Sequence, residues 1–127
     1  MQKSISILTV FVLLLGVAFL LPSDSNAAGD TAKGAEVYKS YCATCHGDTG
    51  KGDGVAAAAL DPKPRDLSNA EYVSGLTDAH IKKVITEGGP AVGMSAAMPA
   101  WGGIIPEADI DNIIAYVRAD VCKCTAK

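Results

Sequence analysis

The chain has 127 residues, 49% of them hydrophobic but only 6% aromatic, and a formal net charge of −3. That length allows one domain at most. The mild acidity excludes the basic footprint of a nucleic-acid-binding protein and favours partners with basic docking patches.

Met1-Gln2-Lys3 is a short positive start, Ile5 to Leu21 is a near-continuous apolar run, and Pro22 to Ala28 breaks it with small and polar residues. That order predicts a signal peptide over 1–27, cleaved after Ala27 or Ala28, export to the periplasm, and a domain over 28–127. The competing reading is an uncleaved anchor, because the run reaches the lower edge of a spanning length. With cleavage the mature chain has no membrane span. No cysteine precedes Cys42, which excludes a lipid-bearing cysteine at the cleavage site. Cleavage removes Lys3 and Asp24, so the net charge is unchanged, and it removes both phenylalanines, Phe11 and Phe19. Tyr38, Tyr41, Tyr72, Tyr116 and Trp101 are then the only aromatics. About 100 residues of that composition bury a modest core. A flat apolar cofactor would supply the missing buried surface.

Asp30 or Thr31 caps a first helix. Gly34, Tyr38, Tyr41, Cys42 and Cys45 recur at i, i+3, i+4 on its inner face. The tyrosines read as core, and Gly34 as a point where another helix crosses closely. The helix ends in Cys42-Ala43-Thr44-Cys45-His46-Gly47. This is C-x-x-C-H, the attachment signature of a c-type haem. Two cysteines three apart point the same way from one helical turn, so each can reach one vinyl group of a porphyrin. His46 then stands where an imidazole nitrogen meets the iron. A thioredoxin-like use of C-x-x-C needs a βαβ context, which the pattern lacks.

Gly47 to Gly54 contains four glycines and reads as a tight loop around the haem edge. It is no Walker loop, since Asp53 stands where the lysine belongs, and its acidic groups miss the alternate positions of an EF-hand. Val55 to Leu60 and Asn69 to Ser74 read as helical turns, and Pro62 and Pro64 extend the chain between them. Thr77 caps a clear helix with Ile81, Val84 and Ile85 on one face, ended by Gly88-Gly89-Pro90. Ala91 to Ile105 has no period and reads as a long functional loop. Pro106 opens the last helix, with Glu107 and Asp109 in its first turn, a stripe of Ile110, Ile113, Ile114, Val117 and Val121, and Arg118 and Lys123 near its end. The predicted architecture is all-α, three main helices joined by irregular loops.

After cleavage, Met94 and Met98 are the only methionines. Met98 is the preferred sixth ligand, because Pro99 pushes it out of the helical region and stiffens its presentation. His80 reads as a solvated histidine on a helix surface. A Met/His pair raises the reduction potential over a bis-nitrogen site and fills the sixth position, which favours electron transfer over catalysis.

With Cys42-x-x-Cys45-His46-Gly47, Met98-Pro99-x-Trp101-Gly102 and Ile113 to Arg118 in view, residues 30–121 resemble the class I c-type cytochromes, small monohaem proteins of bacterial respiratory chains. The resemblance implies a cytochrome c fold wrapped around one covalent haem c. Its first and last helices would meet through Gly34 and Tyr38 against Ile113 and Tyr116. It also implies a carbonyl from a proline-containing loop on the proximal histidine, with Pro62 as candidate, and an Arg and a Trp on the haem propionates. Arg65 and Trp101 are the matching types; a solvated arginine and a core tryptophan are the plain alternative. The implied function is a monomeric periplasmic one-electron carrier with transient protein partners, or else a haem subunit permanently bound to a periplasmic oxidoreductase.

Cys122-Lys123-Cys124 lies outside that family pattern. Its readings are a local disulfide without functional role, a pair of exposed thiols, or a four-thiolate zinc site with Cys42 and Cys45. The local disulfide is preferred.

Overall fold

The computed structural model describes residues 29–127; residues 1–28, where the signal peptide and its cleavage site are expected, lie outside the described residues. Asp30 caps α1 (Thr31–Tyr41), its carboxylate accepting from the Lys33 backbone N–H. The helix does not run through to His46. Cys42 still donates to the Tyr38 carbonyl, but the next bonds made are Cys45 and His46 to the Cys42 carbonyl, and α2 (Ala43–His46) is a separate turn. Cys42 is therefore the joint between α1 and α2. Gly47, at φ 80°, stops α2 in a conformation that L side chains rarely adopt. The buried Tyr38 hydroxyl donates to its carbonyl at 2.9 Å.

Residues 47–69 form a loop with one short 3-10 turn, Ala57–Ala59. Its folds are tied back by Gly52 N–H to the His46 carbonyl and Leu67 N–H to the Gly50 carbonyl. Asn69 caps α3 (Ala70–Ser74) through the Tyr72 N–H. Thr77 caps α4 (Asp78–Glu87) through the His80 N–H, and Gly88 at φ 84° ends it.

The stretch after α4, which has no sequence period, is ordered all the same. A 3-10 turn spans Gly89–Val92. Gly89 N–H donates to the Met98 carbonyl, and Met94 N–H returns to the Gly89 carbonyl, both at 2.9 Å. Trp101 and Gly102 N–H groups reach the Ile85 and Thr86 carbonyls at 2.9 and 3.0 Å. Those carbonyls lie in the last turn of α4, where no intrahelical donor remains. The loop is thus a cap on α4, and the cap fixes where Met98 sits.

α5 (Glu107–Tyr116) follows Pro106, then widens into a π-turn over Val117–Val121. Ile110, Ile113, Ile114 and Val117 are buried, but the wider turn shifts the register and leaves Val121 only half-buried. α5 packs on α1. A Cβ on Gly34 would stand 2.9 Å from Tyr116 Cβ and in hard collision with the Asn112 carbonyl oxygen, so only glycine permits this approach. Tyr38 and Tyr116 rings lie beside that contact, centroids 5.4 Å apart. The core joins Val37 and Tyr38 of α1, Val73, Ile85, Ile105 and the α5 stripe. The described residues are helical without strands, the all-α class that the pattern predicts.

Beyond α5, Cys122 and Cys124 are joined in a disulfide. Arg118 fastens this end of the chain to α3 and α4. Its guanidinium donates to the Val73 and Leu76 carbonyls and to the Asp78 carboxylate.

Candidate functional site

Between α1, α4, α5 and the two long loops lies one apolar cavity of about 460 Å³, within the range of small-molecule and cofactor sites, roughly 300–1,000 Å³. The α1–α2 joint brings Cys42, Cys45 and His46 to it. α4 supplies Ile81, Val84 and Ile85, and α5 supplies Ile113 and Val117. The 88–105 loop adds Met94, Met98 and Trp101; the 60–67 loop adds Pro62, Lys63 and Arg65. Every residue singled out in the sequence for the haem site lines this one space.

His46 Nδ1 lies 3.0 Å from the Arg65 carbonyl oxygen. A carbonyl only accepts, so this nitrogen carries the proton and Nε2 keeps its lone pair in the neutral ring. Burial pushes the His46 pKa below its ordinary value, and the Arg65 carbonyl offsets this only in part. The ring is therefore held neutral and in one tautomer, the form that binds a metal. The proline-containing loop supplies the acceptor, but from Arg65 rather than Pro62. Lys63 Nζ is tied to the Ala57 and Ala58 carbonyls and Leu67 N–H to Gly50. Those two anchors turn the later residue's carbonyl towards His46, and Pro62 only lines the wall.

Cys42 and Cys45 carry free thiols. Burial, then the neighbouring Cys45, push the Cys42 thiol up to about 12, so it stays protonated at neutral pH. Met98 packs against the core and Trp101 meets Tyr41 edge-on, ring centroids 5.5 Å apart. The Arg65 guanidinium sits 5.4 Å over the Tyr72 ring while remaining exposed. Met94 reaches the cavity as well as Met98, so the structure brings both thioethers to it.

His80 does not lie where a solvated surface histidine would. It is half-buried and lines the cavity, and its Nε2 is shielded from solvent with no hydrogen-bond partner. The signal was present in the sequence: His80 and Val84 stand at i, i+4, on the face that α4 turns inward.

The four cysteines do not assemble into one site. Cys122 and Cys124 are bonded to each other, and among the described residues no three His, Cys, Asp or Glu side chains are grouped to hold a metal ion. What the cavity does offer is two free thiols one turn apart, a neutral imidazole with a free nitrogen, two thioethers, apolar walls and one orphaned polar atom. That donor set fits a porphyrin iron with carboxylate side arms.

Comparison with known proteins agrees. The family model described as cytochrome C oxidase, cbb3-type, subunit III, matches residues 29–117. The chain is 36% identical over 91 residues to the cbb3-type cytochrome c oxidase subunit CcoP of Azospirillum sp. (strain B510), covering 72% of this chain but only 29% of that subunit. It is 35% identical over 92 residues to cytochrome c-554(547) of Halothiobacillus neapolitanus, covering 71% of this chain and 96% of that protein. A chain of the Kuenenia stuttgartiensis reducing HAO-like protein complex Kustc0457/Kustc0458 superposes with a TM-score of 0.58 at 27% identity, over 73% of this chain and 43% of that one. Membership of this family implies covalently bound haem c. By fold, cavity and relatives, the chain belongs to the class I c-type cytochromes.

Proposed function

We propose that the protein is a one-electron carrier of the periplasm, holding one haem c by thioether bonds from Cys42 and Cys45, with His46 and Met98 on the iron. The observation that carries this reading is that one apolar cavity receives both free thiols, the neutral imidazole and the Met98 thioether together. Haem iron, when bound, supplies the redox chemistry by cycling between Fe(II) and Fe(III).

The chain supplies position and dryness. The Arg65 carbonyl fixes the His46 ring and raises its basicity as a ligand. Hydrogen bonds from Gly89 and to Ser95 hold the Met98 backbone, so the thioether is presented by an ordered loop. With Met98 as a ligand, the iron would keep no open site for oxygen or peroxide, which favours electron transfer over catalysis. Arg65 and Trp101 are suited to the haem carboxylates. Partners would meet the protein through small transient contacts, as electron-transfer partners do, and the carrier itself would be a monomer.

An absorption spectrum with a pyridine haemochrome tests this directly: one c-type haem per chain is expected, and none would end the reading. Met98→Ala should remove the methionine–ferric-iron charge-transfer band; its persistence would move the ligand to Met94. The reduced protein should not bind carbon monoxide at neutral pH.

A second reading, a haem subunit held permanently by an oxidoreductase, draws support from the match to CcoP and to a chain of a named complex. Ala91, Ala96 and Ala97 are exposed beside the cavity, and Ile104 is 62% exposed. Size-exclusion chromatography of native extract separates the two, since a free monomer opposes the subunit.

A further inference from the structure

We infer that His80 donates a hydrogen bond from Nε2 to a haem carboxylate inside the cavity, and so helps to set the reduction potential. The inference rests on the carrier reading above.

Among the described residues, His80 Nε2 is the one buried side-chain nitrogen or oxygen without a hydrogen-bond partner. Buried polar groups in native proteins are nearly always matched, and the walls next to this one, Leu76, Ile81 and Val84, are apolar. A group that fills the cavity would supply the match. Haem brings two kinds of partner for an imidazole nitrogen, the iron and the carboxylates. His46 and Met98 already account for the iron. A carboxylate entering a dry cavity needs donors, and two of the nitrogen donors on the wall are already engaged. Lys63 Nζ is held by the Ala57 and Ala58 carbonyls, and His46 Nδ1 by the Arg65 carbonyl. The Arg65 side chain lies exposed over Tyr72. Besides Arg65 and Trp101, His80 adds a donor that is fully shielded from solvent and has no partner of its own. Its own backbone is fixed by the Thr77 hydroxyl at 3.1 Å. The neighbouring Asp78 does not compete, because Arg118 holds it at 2.9 Å.

A donor on the carboxylate withdraws negative charge from the macrocycle and disfavours the ferric state. His80→Leu in the holoprotein should therefore shift the Fe(III)/Fe(II) equilibrium at a fixed poise about threefold to tenfold towards ferric, a drop of roughly 30 to 60 mV for a one-electron couple. His80→Gln, which keeps an N–H donor, should recover most of it. Nitrogen-15 NMR of the reduced wild-type holoprotein should show a His80 Nε2–H in slow exchange with water. An unchanged potential in His80→Leu, together with a fast-exchanging imidazole under a normal haemochrome, would overturn the assignment and leave the carrier reading intact. A wild-type spectrum of bis-histidine type would place His80 on the iron and overturn it too. Absence of any haemochrome would overturn both.

Discussion

Replacing Gly34 by alanine tests the claim that the α1–α5 contact is set by backbone touching backbone. The added Cβ would collide with the Asn112 carbonyl oxygen and stand 2.9 Å from Tyr116 Cβ. Ordinary contact begins near 3.4 Å, so the helices must separate by more than an ångström, and a carbonyl within α5 cannot rotate away. Overpacking of this kind costs typically 1–3 kcal/mol. The substitution also gains about 1 kcal/mol of helix propensity. With the upper figure for a clash against main chain, the net loss is about 2 kcal/mol. In a domain of this size that lowers Tm by roughly 8–16 °C. Thermal unfolding of the holoprotein followed by far-UV circular dichroism reads it. Gly103→Ala is the control, because nothing lies within 4 Å of its Cβ position. If Gly34→Ala melts at or above the wild-type temperature, the close approach is not what sets this packing.

Arg118→Ala should destabilise by about 2–3 kcal/mol in urea unfolding, because it strips charge-assisted donors from the Val73 and Leu76 carbonyls. Thr77→Ala removes the cap on the His80 N–H and should cost about 1 kcal/mol. Tyr38 should resist ionisation in a spectrophotometric titration, since burial first, then the charges of Tyr116, Asp48 and Asp53, raise its pKa above the ordinary 10.0. The native state then keeps a proton that the unfolded chain releases, so stability falls as pH rises above 10, by about 1.4 kcal/mol per unit at most. Titration of all four tyrosines near pH 10 without unfolding would contradict the burial of Tyr38.

The readable part of the fold is the part written in side chains. Asp30 and Thr77 cap the helices that they announce, and the isoleucine stripe of α5 faces the core. The cysteines, His46 and Met98 reach one cavity because their local signals do not conflict with the topology. The parts that were not readable are made by main chain. Carbonyls and N–H groups look alike in every residue, so nothing in Pro62 or Arg65 marks which of them meets His46. The loop after α4 lacks a period because its order comes from N–H groups finding the spare carbonyls of Ile85 and Thr86. The joint at Cys42 and the π-turn at Val117–Val121 are one-residue shifts in hydrogen-bond register, below what a hydrophobic period resolves. His80 was legible from its spacing to Val84, but a polar residue in the first turn of a capped helix reads more readily as solvated.

The two sides of α5 serve different ends. Ile113 and Val117 face the cofactor cavity, whereas Ile114, Ala115 and Arg118 line a separate cleft that also takes in Gly29 and Thr125. No residue lines both spaces. Gly29, at the start of the described residues, and Thr125, near their end, thus line one cleft that is separate from the cofactor cavity. A body with neighbouring attachment points can be spliced into longer polypeptides, or carried on a stalk, without disturbing its interior. The same architecture then serves as nearly all of one relative, cytochrome c-554(547), and as 29% of another, the CcoP subunit.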